Sequence, residues 1–475
     1  MNHPARQGGF SGPRAWAASA LIGALAGWGL TVAAPAAYVD AAPIVPAWLV
    51  IPFAALLGSI AVLPFAAPRF WHAHYPDVSF FLGAVVATYY LVAFRTASPG
   101  HAMGYGAEKM LHAAEEFYAF IALVGGLYIV SGGILIEVRG KGRPLINTAL
   151  LAVGAILANV VGTTGASMLL IMPFMRLNAG RLRPLHIVFF IFIVSNCGGC
   201  LTPIGDPPLY LGFIKGVPFF WTLKHLWRDW AFMVGALLAL FYIADQWIEG
   251  SVPPTTGVEG RGISIKGRVG LACLGLMLVG VFLPILLKPH AGDWAGVVGA
   301  TFQIAVAAAA HRLAPTAIRE ANSFTFGPVK EVGLLFAGIF ATMAPALGYL
   351  AKHGASLGIS GSGEFYFGTG SLSALLDNAP TYMSFFQIAF GQTEITTDSI
   401  RTFISAPSGV TTLHAISTGA VFFGAMTYIG NGPNFMVKSI AESAKVKMPG
   451  FFGYFLLAAG TLLPVLILHW VIYIR

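Results

Sequence analysis

Four short polar stretches interrupt otherwise apolar runs of this 475-residue chain. The first is Asn159-Val160-Val161-Gly162-Thr163-Thr164-Gly165, with Ser167 just beyond. The second runs from Ser195-Asn196 to Thr202-Pro203-Ile204-Gly205-Asp206. The third is Asp377-Asn378-Ala379-Pro380-Thr381, and the fourth is Thr427-Tyr428-Ile429-Gly430-Asn431, followed by Asn434. Carboxylate, amide and hydroxyl oxygens are hard ligands that suit Na+ or Li+, and amide and hydroxyl protons can hydrogen-bond a carboxylate. The candidate ion- or substrate-binding residues are therefore Asn159, Thr163, Thr164, Ser195, Asn196, Thr202, Asp206, Asp377, Asn378, Thr381, Thr427 and Asn431. Among them Asp206, Asp377, Asn159 and Asn378 are the candidate Na+ ligands. None of these interruptions holds an Arg or Lys, so a multiply charged anion would depend on N–H dipoles and a co-bound cation.

The two aspartates carry the sharpest expectation. A lone carboxyl in a membrane interior keeps its proton, and a bound cation can take the proton's place. Exchange of the two is the physical core of an antiporter. The alternative is that each Asp merely caps a half-helix through backbone N–H groups.

The elements that position these residues repeat. Gly199-Cys200-Leu201-Thr202-Pro203-Ile204-Gly205-Asp206-Pro207-Pro208 aligns without gaps on Gly424-Ala425-Met426-Thr427-Tyr428-Ile429-Gly430-Asn431-Gly432-Pro433. Gly199/Gly424, Thr202/Thr427, Ile204/Ile429, Gly205/Gly430 and Pro208/Pro433 are identical, and Asp206 faces Asn431. Asn378 and Thr381 likewise resemble Asn159 and Thr163. A duplicated break in a membrane helix is the sequence mark of a secondary transporter's binding site.

The chain is 57% hydrophobic and 10% charged, with mean hydropathy +0.76, against roughly 25% charged in a soluble domain. The net charge of +8 does not mark a nucleic-acid partner, because Lys and Arg fall in short clusters between apolar runs. Spans are expected at about 15–36, 48–67, 79–96, 117–138, 230–248, 269–287, 293–310, 331–351 and 451–473. Residues 1–47 hold a signal-like or first membrane segment, with Arg6 and Arg14 before it and a small-residue Ala34-Pro35-Ala36 site after it. Residues 145–177 are cut by the first polar stretch into arms of about 13 residues, too short to cross at about 1.5 Å per residue. Basic clusters at both ends (Arg139 to Arg143; Arg176, Arg181, Arg183) place both on the cytoplasmic side, making a re-entrant hairpin. A second hairpin is expected at 365–390, and broken helices at 186–214 and 408–436. A polar cytoplasmic linker, 249–268, separates a first repeat, 48–248, from a second, 269–475. Most of the 27 Lys and Arg fall in loops that this layout makes cytoplasmic, and the second half is then inverted. The expected fold is an all-α polytopic membrane protein of two inverted-topology repeats, each with a re-entrant helical hairpin and a broken transmembrane helix.

Other residues read more plainly. Cys197 and Cys200 have redox spacing but no βαβ context, so they read as small packing residues. With no nucleophile–base set and no cofactor motif, the chain is not expected to be an enzyme. His72 and His74 fall in a loop. His414 lies within a span, where it either relays protons or holds a structural hydrogen bond. Glu137 and Asp245 fall at cytoplasmic span ends, open to solvent. Trp221, Trp227 and Trp230, and Trp470 with Tyr473, read as interfacial anchors.

The runs Val194-Ser195-Asn196-Cys197-Gly198-Gly199 and Thr202 to Phe213 resemble the ion transporter superfamily. So do Gly162 to Ser167, Leu376 to Thr381 and Gly430 to Asn434. The similarity, from about residue 48 onward, is to NhaD-type sodium/proton antiporters and their citrate-transporter relatives. Arsenite permeases and divalent anion/sodium symporters are more distant. This resemblance implies a multi-pass protein of the bacterial inner membrane, often a homodimer, with an elevator-like movement of hairpins and broken helices. Its partners would be the lipid bilayer and a small ion or small organic anion, with Na+ or Li+ and H+ as transported or coupling ions and no other cofactor. The symporters carry Ser-Asn-Thr at their hairpin tips, whereas this chain carries Asn-Val-Val-Gly-Thr-Thr and Asp-Asn-Ala-Pro-Thr. The extra Asp favours Na+(Li+)/H+ antiport over the alternative, Na+- or H+-coupled transport of citrate or another carboxylate.

Overall fold

The computed structural model describes residues 12–39, 42–95, 103–249, 258–322, 324–391 and 393–475. Arg6 and part of the expected polar linker (250–257) lie outside the described residues. The helices run α1 Pro13–Ala33, α2 Ile51–Ala66, α3 Pro68–Ala93, α4 Tyr105–Gly132, α5 Pro144–Leu177 and α6 Pro184–Ile193. Then come α7 Pro207–Lys215, α8 Phe219–Glu249, α9 Arg268–Ala291, α10 Ala295–Leu313, α11 Thr316–Ala321 and α12 Gly327–His353. The last six are α13 Ser362–Leu375, α14 Asn378–Phe390, α15 Thr397–Ser405, α16 Pro407–Phe423, α17 Gly432–Ser443 and α18 Phe451–His469. Two small antiparallel pairs accompany them, β1 Ala37–Val39 with β2 Ala42–Ile44 and β3 Leu135–Gly140 with β4 Val258–Lys266. Proline stands in the first turn of α3, α5, α6, α7 and α16, where its missing N–H costs nothing. Among the described residues, twelve helices are long and apolar enough to cross a bilayer. The protein is an all-α polytopic membrane protein.

One of the twelve does not run straight. The 34 residues of α5 would reach about 51 Å as a rod. Yet its two ends touch: the Gly142 amide donates to the Leu177 carbonyl at 2.8 Å, and Asn147 and Asn178 exchange side-chain hydrogen bonds at 2.8 and 2.9 Å. The fold-back falls at Gly162 (φ 77°, ψ 157°), a conformation that essentially only glycine adopts. Helices α13 and α14 also pack arm against arm, Phe365 on Phe385 at 6.5 Å between ring centroids. Only Leu376 and Asp377 separate them.

Several spans start earlier than hydropathy places them. The span expected at 79–96 is α3, from Pro68, so His72 and His74 sit on a helix and not in a loop. There His74 Nδ1 lies 2.9 Å from Asp77 Oδ2. The span at 117–138 is α4, from Tyr105, and the one at 230–248 is α8, from Phe219. Charged residues in the first two or three turns (Arg69; Glu108 and Lys109; Lys224 and Arg228) hide these starts from a hydropathy window without ending the helix. The end of the expected linker, 258–266, is strand β4 instead. It pairs with β3, and the exposed Lys266 Nζ donates to the half-buried Glu137 at 3.0 Å. That partner holds the Glu137 carboxyl below its usual range.

Two compact units divide the chain. Residues 1–118, 330–358 and 387–393 form one. In it Gly23 and Gly27 of α1 lie against the α3 backbone, and Leu49, Val86, Tyr89, Tyr90 and Phe94 form a buried cluster. The other contains 119–329, 359–386 and 394–475. All four polar interruptions belong to this second unit.

Candidate functional site

The tip of α5 is laced onto the break between α6 and α7. The Thr163 amide donates to the Gly205 carbonyl at 2.8 Å, and the Leu201 amide to Asn159 Oδ1 at 2.8 Å. Asn159 Nδ2 donates to the carbonyls of Gly198 (2.6 Å) and Ala155 (2.9 Å), while Thr202 Oγ1 donates to the Asn159 carbonyl at 2.6 Å. The freed backbone groups of the break are thus satisfied by protein, as a membrane interior demands.

The second break is built alike. Cys197–Leu201 and Gly424–Met426 are both 3-10 turns. Thr202 (φ −136°, ψ 155°) and Thr427 (φ −139°, ψ 169°) then extend the chain. Asp206 (φ −143°, ψ 144°) and Asn431 (φ −155°, ψ 141°) open the next helices. The matched glycines have one cause: Gly205 sits on the Gly199 carbonyl and Gly430 on the Gly424 carbonyl, with no room for a Cβ. Thr427 Oγ1 donates to the Ala374 carbonyl at the end of α13 (2.6 Å) and accepts from the amides of Ile429 and Gly430 (3.2 Å each). Asn434 Nδ2 donates to the carbonyls of Gly424 (2.8 Å) and Thr427 (2.9 Å).

Asp206 joins the sets. Its Oδ1 accepts from Thr163 Oγ1 (2.9 Å) and Asn431 Nδ2 (2.8 Å), and its Oδ2 from Asn378 Nδ2 (2.6 Å). It is 1% exposed, and these partners are all neutral. Asn196 Nδ2 adds a cross-link to Asn434 Oδ1 at 2.6 Å. Asn431 Nδ2 also reaches the Ser195 carbonyl at 3.3 Å, and the Ser195 and Ser167 hydroxyls lie 2.8 Å apart. Asn159, Thr163, Thr202, Asp206, Ser195, Asn196, Asn378, Thr427 and Asn431 therefore belong to one hydrogen-bonded centre. Thr164 lines a cavity of about 20 Å³ beside it, with Thr163, Gly205 and Asp206, space for one water or a small ion.

Asp377 and Asp206 differ. Capping describes Asp377, whose Oδ1 accepts the Ala379 amide at 3.0 Å in the first turn of α14. Thr381 Oγ1 donates to the Asp377 carbonyl at 2.9 Å. Asp206 holds the N-cap position of α7 but its side chain makes no cap bond. Pro208 removes the N–H at the second helical position, the Leu209 N–H at the third donates to the Asp206 backbone carbonyl (3.1 Å), and the carboxylate turns to Thr163, Asn378 and Asn431 instead.

Two buried amide oxygens, Asn196 Oδ1 and Asn378 Oδ1, have no hydrogen-bond partner among the described residues. They belong to side chains that flank Gly424. A Cβ there would lie 3.2 Å from Asn196 Oδ1 and 3.6 Å from Asn378 Nδ2. Unpaired buried oxygens cost free energy, and a small hard cation is one kind of group that satisfies them.

Three readings of single residues change. Asp245 is not solvated at a span end: it is fully buried. Its carboxylate accepts from Arg181, from His186 Nε2 (3.0 Å) and from Asn147 Nδ2 (2.7 Å). That cluster ties the base of α5 to α8. Trp221 is buried and Trp230 Nε1 donates to the Gly198 carbonyl at 2.8 Å, so of these three only Trp227 is well exposed. His414 Nε2 lies 2.6 Å from Asp229 Oδ1, and His469 Nε2 lies 2.8 Å from the same atom. Asp229 and His469 escaped the sequence reading because single polar residues far apart in an apolar chain give no spacing signal. Cys197 and Cys200 are buried free thiols.

A search of the curated proteins gives no match. A family model described as "Putative citrate transport" matches residues 42–474, which include both breaks and both hairpins. The chain belongs to this citrate-transport family.

Proposed function

We propose that the protein is an ion-coupled secondary transporter of citrate or a related carboxylate in a bacterial inner membrane. One observation carries the reading beyond the family. Thr163, Asn378 and Asn431, from three separate elements, all aim neutral donors at a carboxylate. That carboxylate is the protein's own Asp206, so the centre is built round one buried acid with neutral partners and brings no positive side chain to a multiply charged substrate. The coupling ion must then supply the balancing charge. Asp206 is its carrier, with Asn159, Asn378 and Asn196 as oxygen ligands when that ion is Na+. Asp377 serves as a helix cap that fixes Asn378 in place.

The matched conformation of the two breaks supports reading 48–248 and 269–475 as inverted repeats whose half-sites are Asn159–Asp206 and Asp377–Asn431. A second reading, Na+(Li+)/H+ antiport, is favoured by the buried Asp206 itself. A carboxyl with only neutral partners is either protonated or balanced by a cation.

The experiment uses purified protein in liposomes with a pH-sensitive dye inside. Uptake of labelled citrate that requires Na+ or a proton gradient supports the carboxylate reading. Proton movement on adding Na+ or Li+ without citrate, together with no citrate uptake, overturns it in favour of the antiporter.

A further inference from the structure

Away from the Asp206 centre, α8, α13, α16 and α18 bring four titratable groups together. Asp229 Oδ1 receives His414 Nε2 at 2.6 Å and His469 Nε2 at 2.8 Å. His469 Nδ1 lies 3.0 Å from the Tyr366 hydroxyl, which lies 3.2 Å from the Leu466 carbonyl. The side chains of Asp229 and His469 are 1% and 0% exposed, while that of His414 is 15% exposed. The other titratable groups facing the cluster are Cys197 and Cys200 from the first break and Tyr473, whose ring is 5.5 Å from that of His469.

The protons can be counted. An ionised carboxylate only accepts, so both imidazoles present Nε2–H to Asp229. The Tyr366 hydroxyl has one proton and two places to put it. If it donates to His469 Nδ1, that histidine is neutral. If it donates to the Leu466 carbonyl, Nδ1 must itself carry a proton and donate to the Tyr366 oxygen, and His469 is a cation. The Leu466 carbonyl already accepts the Trp470 amide in the last turn of α18, and its second lone pair can take or lose the hydroxyl without leaving a stranded group. Both protonation states are therefore fully hydrogen-bonded. They differ by one N–H bond at Nδ1 and a turn of one hydroxyl.

We propose that Asp229, His469, His414 and Tyr366 form a proton-binding site, separate from the Asp206 centre, through which a proton drives transport. With the proton bound, aspartate and imidazolium neutralise each other. Without it, a net negative charge is left buried, which is costly. The groups that feel that cost belong to the elements that build the centre. Tyr366 lies on the first arm of the second hairpin and His414 on the helix before the second break. Trp230, next to Asp229, holds the Gly198 carbonyl that also binds Asn159. His414, the one member with exposed surface, is the entry point for the proton.

The proposal rests on the transporter reading, and the test separates the two. Solid-state or solution 15N spectra of histidine-labelled full-length protein, with His469→Gln to assign the signal, report protonation whatever the substrate is. The expected result is that His469 passes from doubly protonated to Nε2–H as pH rises, and that Tyr366→Phe moves the transition. A His469 that keeps one protonation state through the range where imidazole titrates overturns the site. In liposomes, His469→Gln, which keeps a donor toward Asp229 but cannot titrate at Nδ1, is expected to keep citrate counterflow and lose proton-driven accumulation. Loss of both together, with the variant folded by gel filtration, overturns the coupling role. If the wild type shows no citrate counterflow, the carboxylate reading fails while the spectra still decide the site.

Discussion

Replacing Asp206 by Asn and by Ala separates what the carboxyl does for stability from what it does for ions. In Asp206→Ala the Asn431 amide keeps the Ser195 carbonyl at 3.3 Å, but the Thr163 hydroxyl and the Asn378 amide lose their partner. A stranded buried donor costs about 1–3 kcal/mol, so the pair costs about 2–6 kcal/mol. In Asp206→Asn the amide oxygen takes the Oδ1 place and keeps Thr163 and Asn431. The new NH2 then faces Asn378, whose Oδ1 is unpaired among the described residues. A flip of the Asn378 amide turns that oxygen to the NH2 and leaves at most one buried NH2 to satisfy, so the stability loss should stay below about 3 kcal/mol, less than in the Ala variant. The Asn variant cannot exchange a proton for a cation, so ion-coupled uptake should be lost while the fold survives. Thermal unfolding in detergent, read by gel filtration, and uptake in liposomes measure the two effects. An Asn variant that melts as low as the Ala variant refutes the flip. One that transports with wild-type ion coupling refutes Asp206 as carrier.

Asp377→Asn keeps the cap on α14, since Asn caps as well as Asp, whereas Asp377→Ala should lose about 1 kcal/mol in thermal unfolding; abolished transport in the Asn variant with unchanged stability would instead make Asp377 an ion carrier. Asp245→Ala leaves Arg181 charged and buried at the base of α5, and should cost about 3–5 kcal/mol, seen as a large loss of folded protein on gel filtration. Glu137 is held below the usual carboxylate range by Lys266, so its contribution is present above that range and lost as pH falls through the lowered value. The melting difference between wild type and Glu137→Gln should be small, present at neutral pH, absent in acid and weakened by salt.

The centre was legible because it is duplicated. Gly199, Thr202 and Gly205 recur as Gly424, Thr427 and Gly430 for a backbone reason, a carbonyl pressed on a glycine, and such reasons leave a pattern in the chain. Helix ends were less legible. The first turns of α3 and α4 carry Arg69 and Glu108, and the second turn of α8 carries Lys224, which lower hydropathy without breaking a helix. The linker's strand went unseen because β4 is polar and carries two glycines, and its partner β3 lies far back in the chain. The long-range clusters were not legible at all. Asp245 reads as a span end by position, yet Arg181, His186 and Asn147 bury it, and no spacing rule joins residues that meet only through tertiary packing.

Helix α8 carries two carboxylate clamps, one about a third of the way along and one near its C-terminal end, and the two differ in what balances them. Asp229 and Asp245 are about 24 Å apart along the helix at about 1.5 Å per residue. Asp245 faces Arg181, a guanidinium that keeps its charge wherever imidazole titrates. The base of α5 is therefore fixed to α8 at every working pH. Asp229 faces only imidazoles, so its balance follows the proton. Loss of a proton should then loosen α13, α16 and α18 against α8 and leave the base of α5 in place. Amide hydrogen exchange at two pH values, corrected for the intrinsic rate, measures this directly. Protection should fall with rising pH around Tyr366, His414 and His469 and hold steady around Asn147 and Asn178. Equal change at both clamps would mean that the two carboxylates are alike and that α8 carries no proton-dependent clamp.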